Sequence, residues 1–147
     1  MQIINDAITK LTDENNTKSG NQDEIINQAL DHVLKDLMAQ CENIKGAIIS
    51  SVDGISCATA LHDNLDQNRF SAMSSALLAL SDTLMNESHN DLTKNVLIEA
   101  NAGKIFIMHA TDKLLLSVFI DEQANLGLSL AYAKQAIDKI EAILSAL

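Results

Sequence analysis

Residues 95–120 read NVLIEANAGKIFIMHATDKLLLSVFI, and the fold turns on how this stretch is divided. Three apolar runs, about Asn95–Ala100, Lys104–Ala110 and Leu114–Ile120, are separated by Asn101-Ala102-Gly103 and Thr111-Asp112-Lys113. Links of three residues are too short for a parallel crossover, so the runs must form consecutive antiparallel hairpins. The runs are nearly continuous in apolar residues rather than alternating, so both faces of the sheet are expected to be covered.

Working back from this core, Leu65 to about Glu87 has helical periodicity. Phe70, Met73, Leu77, Leu80 and Leu84 follow a 3-4-3-4 spacing, the expected seam of a packed helix. A second stripe of small residues, Ala72, Ser75, Ala79 and Asp82, runs beside it and would let another backbone approach closely. Upstream again, GAIISSVDGISCATAL (Gly46–Leu61) reads as two strands joined by Val52-Asp53-Gly54. Ile26, Leu30, Val33 and Leu37 mark a helix over Asp23–Gln40, with Asp23 as its expected N-cap. On the downstream side, Leu126, Leu130, Ala133, Ile137, Ile140 and Leu144 predict a long last helix capped by Asn125.

The order is therefore α-β-β-α-β-β-β-α. This is an α+β fold with a five-stranded antiparallel sheet sandwiched by helices. Residues 1–22 read as an N-terminal extension and linker, in which Ile4, Ile8 and Leu11 could form a short amphipathic segment, and 23–147 as the folded domain. One helix between the second and third strands cannot cover a whole sheet face. If the other two take the opposite face, a second copy of the chain would close the opening.

Composition narrows the function. The 147 residues carry 20 acidic and 10 basic side chains, a net charge of −10, and only 3% aromatic residues. Phosphate backbones and anionic membranes repel such a chain, and stacking platforms for single strands are missing, so nucleic-acid binding is not expected. No apolar run approaches the roughly 18 residues of a membrane span. Without a signal-peptide pattern, and with Cys41 and Cys57 in no metal or redox spacing, the expectation is a cytoplasmic protein with reduced thiols and no direct membrane insertion.

A catalytic constellation is not legible. Five dispersed glycines form no phosphate-cradling loop, and His32, His62, His89 and His109 share no ligand spacing, so neither cofactor nor metal is expected. His62-Asp63 is a ligand pair on paper only, and His109 is better placed as a strand histidine. Cys57 and Asp53 could be drawn as nucleophile and base, but a buried thiol and a turn aspartate account for them more simply. Arg69, near the start of the central helix, could serve a partner's active site as an arginine finger; an ordinary surface residue is the plainer reading.

The element order, the VDG hairpin and above all VLIEANAGKIFIMHATDKLLLSVFIDEQANLGLSLAYAKQAIDKI resemble the roadblock/dynein-light-chain superfamily, in its bacterial MglB-like form. The resemblance spans about Ile25 to Leu144. It implies a profilin-like fold, a homodimer joined through the third strands with the central helices paired, and no enzymatic activity of its own. It also implies binding to a Ras-like small GTPase. The residues expected to carry the dimer and partner contacts lie on the central helix: Asp66, Arg69, Phe70, Ala72, Met73, Ser75, Ala76, Ala79 and Asp82, with Ser71 and Ser74 beside them. On this placement Ala79→Arg should break the dimer. A scaffold subunit without effect on GTPase kinetics and a small-molecule sensor are the alternatives.

Overall fold

The computed structural model describes residues 19–62 and 64–146. The expected N-terminal segment around Ile4, Ile8 and Leu11, and Asp63, lie outside the described residues. The elements are α1 (Ser19–Gln40), β1 (Ile44–Ser51), β2 (Ser56–Leu61), α2 (Gln67–Glu87), β3 (Asn95–Ala100), β4 (Gly103–His109), β5 (Leu114–Asp121) and α3 (Leu126–Ser145). Helix α1 begins four residues before Asp23, which therefore lies inside the helix and is not its N-cap. Asn125 does cap α3, its Oδ1 accepting the Leu128 N–H at 2.9 Å.

The strands form one antiparallel sheet in the order β2-β1-β5-β4-β3. Helices α1 and α3 lie on one face, where Leu30, Leu34, Leu37, Ala133, Ala136 and Ile140 pack against the sheet side chains of Ala47, Ile49, Phe106, Met108, Leu116 and Val118. This layer holds most of the buried apolar surface and most of the hydrophobic stabilisation that goes with it.

The opposite face carries α2 alone, and its contact is of another kind. Its buried residues are Ser71, Ser74 and Leu78. Leu78 meets Ile107 and Leu115, and Phe70 stands edge-on to Phe119 with ring centroids 4.5 Å apart. Between them the floor is made of hydroxyls. Ser117 Oγ donates to Ser74 Oγ at 3.1 Å, while the buried hydroxyls of Ser50 and Ser71 have no hydrogen-bond partner among the described residues. Small side chains let α2 sit close to the sheet, at the cost of apolar burial.

The expectation that both faces of the sheet would be covered holds for β5 but fails for β3. Five of its six residues are exposed, with Val96 half-buried. Strand β3 is the sheet's edge, and α2 reaches it at Val96, which packs against the cluster of Leu78, Ile107 and Leu115.

Candidate interaction surface

The central helix is placed by its two ends. At its start, Asp66 Oδ1 accepts the backbone N–H groups of Asn68 at 3.1 Å and Arg69 at 3.2 Å, satisfying donors that the first turn cannot pair internally. Asp66, expected as a contact residue, thus has a capping role. Near the other end, Asp82 accepts the Thr93 N–H at 2.9 Å and a hydrogen bond from His109 Nε2 at 3.1 Å. Burial opposes ionisation of Asp82, but the Thr93 backbone, the Thr93 side chain and His109 outweigh it and hold the carboxyl below the usual carboxylate range.

Between these anchors the helix presents three flanks. The serine stripe faces the sheet. The small-residue stripe faces the β1–β2 turn, where Gly54 has φ +87°; a Cβ on it would come within 3.0 Å of Ala72 Cα and 3.4 Å of Ser75 Cβ. The Ser75 hydroxyl donates to the Val52 carbonyl, and Ser75, Ala79 and Asp82 line a small cavity of about 110 Å³ with Val52, His109 and Leu115. The close approach that Ala72 and Ser75 allow is thus made by the chain's own hairpin.

The third flank is the predicted apolar seam, and it points away from the sheet floor. At 100° per residue its mean direction is about 110° from that of Ser71, Ser74 and Leu78. Met73, Leu80 and Leu84 are 54%, 57% and 58% exposed. Phe70, Met73 and Leu77 form one wall of an apolar groove of about 330 Å³, whose other wall is Ile98, Ile105 and Ile107. Ile98 is itself 41% exposed on the open edge strand. Apolar helix seam and unpaired edge therefore form one continuous uncovered surface, of the kind that marks a protein interface.

Charge is sparse there. From Gln67 to Glu87 the only charged residues are Arg69, Asp82 and Glu87, and Asp82 is engaged with His109. Of the expected contact residues, Phe70 and Met73 face the groove and Arg69 and Ala76 are exposed; Ala72, Ser75, Ala79 and Asp82 lie on the hairpin flank. Leu77, Leu80, Leu84 and Ile98 belong to the surface, and the 3-4-3-4 spacing is what marks the first three in the sequence.

The other candidates for chemistry are accounted for locally. Val52-Asp53-Gly54 is a tight turn, with Gly54 N–H donating to the Ser51 carbonyl at 2.9 Å and Ser51 Oγ accepting the Ile55 N–H at 3.2 Å. Cys57 packs against the main core, and burial pushes its thiol up, away from the reactive thiolate. Among the described residues, no three His, Cys, Asp or Glu side chains are grouped to hold a metal ion, and no helix is long and apolar enough to cross a membrane.

Comparison with known proteins agrees with this geometry. The Roadblock/LC7 domain family model matches residues 30–119. The uncharacterised protein MJ0310 of Methanocaldococcus jannaschii is 32% identical over 114 residues, covering 78% of this chain and 98% of that protein. Among solved structures, Myxococcus xanthus MglB superposes with a TM-score of 0.76 at 18% identity, over 82% of this chain and 90% of that one. Schizosaccharomyces pombe profilin gives 0.58 at 13%, over 77% and 97%. At these identities the structural likenesses are of fold.

Proposed function

Because the chain belongs to the Roadblock/LC7 domain family, we propose that it is a non-catalytic, cytoplasmic homodimeric regulator that binds a Ras-like small GTPase and alters its nucleotide cycle. The observation that carries this reading is the uncovered surface formed by the seam of α2 and the edge of β3. An apolar stripe exposed to this extent needs a cover, and an open strand edge invites another strand. A second copy supplies both at once, since it brings an equivalent seam and edge.

The near absence of charge on this surface favours a like-charged partner. Two copies at −10 each repel at long range, and the apolar seam of α2, with no charged residue between Arg69 and Asp82, is where they can meet with least repulsion. Binding of a small GTPase is the role that the resemblance to MglB-like proteins suggests.

The test is to purify the chain, establish its mass by light scattering, and add small GTPases from the same cell while following nucleotide hydrolysis and release. A dimer that binds one of them and changes either rate is expected. A dimer that binds without changing a rate is a scaffold, and absence of binding to any of them removes the regulatory reading.

A further inference from the structure

We infer that the cavity at the start of β3 is an anion site suited to a phosphoryl group, carried by inorganic phosphate or by a small phosphate ester. The inference stands apart from the dimer and from the small GTPase proposed above.

Strand β3 begins where β4 ends, with Asn95 opposite Met108. At this corner of the sheet a cavity of about 410 Å³ opens between the two strands and α3. Its size is that of a small-molecule site. Lys94 enters the lining from the strand and Lys134 from the helix, while Met108 and Ile137 supply apolar surface.

The charge of this lining is opposite to that of the molecule. The chain carries −10 overall, yet the lining holds two lysines and a histidine and no carboxylate. Elsewhere lysines have carboxylates at hand, Lys45 pairing with Asp121 and Lys139 with Asp36. Lys94 and Lys134 have neither an ion pair nor a hydrogen bond among the described residues. Asp138, one turn along α3 from Lys134, is exposed and does not pair with it. Two ammonium groups that share a cavity repel each other, and an anion between them turns that repulsion into attraction.

A hydroxyl points to the same chemistry. Thr93 lines the cavity, and its Oγ1 is buried without a hydrogen bond of ordinary geometry among the described residues. It lies close enough to Asp82 to help hold that charge. A buried donor without an acceptor is costly, and a phosphoryl oxygen is an acceptor. His109 also lines the cavity; its Nε2 is engaged with Asp82 and its Nδ1 has no hydrogen bond among the described residues.

Lysine favours phosphoryl over carboxylate ligands here. Planar carboxylates are matched by the fork of an arginine, and this lining has none, whereas ammonium groups bind phosphate as compact point charges. A phosphate monoester carries about −1.5 to −2 charges at neutral pH, which two lysines balance. Met108 and Ile137 leave room for the organic part of an ester. Occupancy would also be felt at α2, because Thr93 and His109 are the two residues that hold Asp82.

The test is a titration of the full chain, followed by its amide nuclear magnetic resonance spectrum at constant ionic strength, with sodium phosphate and separately with phenyl phosphate. Saturable shifts are expected at Thr93, Lys94, His109 and Lys134. Tighter binding of phenyl phosphate would assign the site to an ester, and equal binding to free phosphate. Lys94→Gln/Lys134→Gln should weaken binding about tenfold. Lys35→Gln/Lys45→Gln, the same change of charge outside the cavity, should leave Kd within about twofold. Shifts that do not saturate, shifts that avoid these four residues, or equal weakening by both double variants would overturn the site.

Discussion

His109 Nε2 lies 3.1 Å from Asp82 Oδ2, and this contact ties the end of β4 to the last third of α2. The same carboxylate holds the Thr93 N–H at 2.9 Å, so a single ionised group joins helix, strand and the connection to β3. An ionised carboxylate only accepts, which makes Nε2 the protonated ring nitrogen.

This arrangement predicts a pH dependence of defined sign. The folded-state pKa of Asp82 is below its ordinary value, so its contribution to stability is complete above the ordinary carboxylate range and is lost as pH falls through the lowered value. Urea unfolding of the wild type should show stability declining as pH drops below about 4. Asp82→Asn should cost about 1 kcal/mol at neutral pH and make that decline shallower. An unchanged pH profile in Asp82→Asn would show that the carboxylate is not the group responsible.

Gly54→Ala should be costly for two reasons that act together. The position has φ +87°, and the added methyl would meet the Cα of Ala72, a backbone atom that cannot swing aside. A loss of about 2 kcal/mol is expected in chemical denaturation. A smaller loss, under about 0.5 kcal/mol, would mean that the hairpin does not dock on α2 as described.

Met73→Arg and Ala79→Arg should part company. Met73 borders the groove with Ile98, whereas Ala79 lines the cavity beside Val52 and His109, on the other flank of the helix. Met73→Arg should yield monomer by light scattering with monomer stability changed by no more than about 0.5 kcal/mol, as for ordinary exposed sites. Ala79→Arg should leave the dimer mass unchanged. The periodicity of the small residues suggests the opposite for Ala79, and the two variants measured side by side decide between the flanks.

Much of the architecture was legible because it is written in local chemistry. The hairpin links around Asn101 and Asp112, the Asn125 cap and the Asp-Gly turn each need only a few neighbouring residues to be read. What was not legible was direction. Periodicity shows that α2 has an apolar stripe but not what lies against it, and the strongest stripe, Met73, Leu80 and Leu84, faces outward. The stripe that meets the sheet is Ser71, Ser74 and Leu78, which no hydropathy pattern would choose. Likewise the apolar run of β3 resembles that of β5, yet only β5 is enclosed, because burial depends on strand order and not on composition.

The floor of hydroxyls under α2 has a mechanical meaning. A helix clamped by interlocking aliphatic side chains must lift before it can shift, whereas short serine side chains offer shallow relief and can trade one hydrogen-bond partner for another. Ser74 and Ser117 hold one such bond, and Ser50 and Ser71 have hydroxyls to spare. Over so shallow a relief, the position of α2 along its axis is fixed by its anchors, the Asp82 contacts to Thr93 and His109 and the edge-on pair Phe70–Phe119.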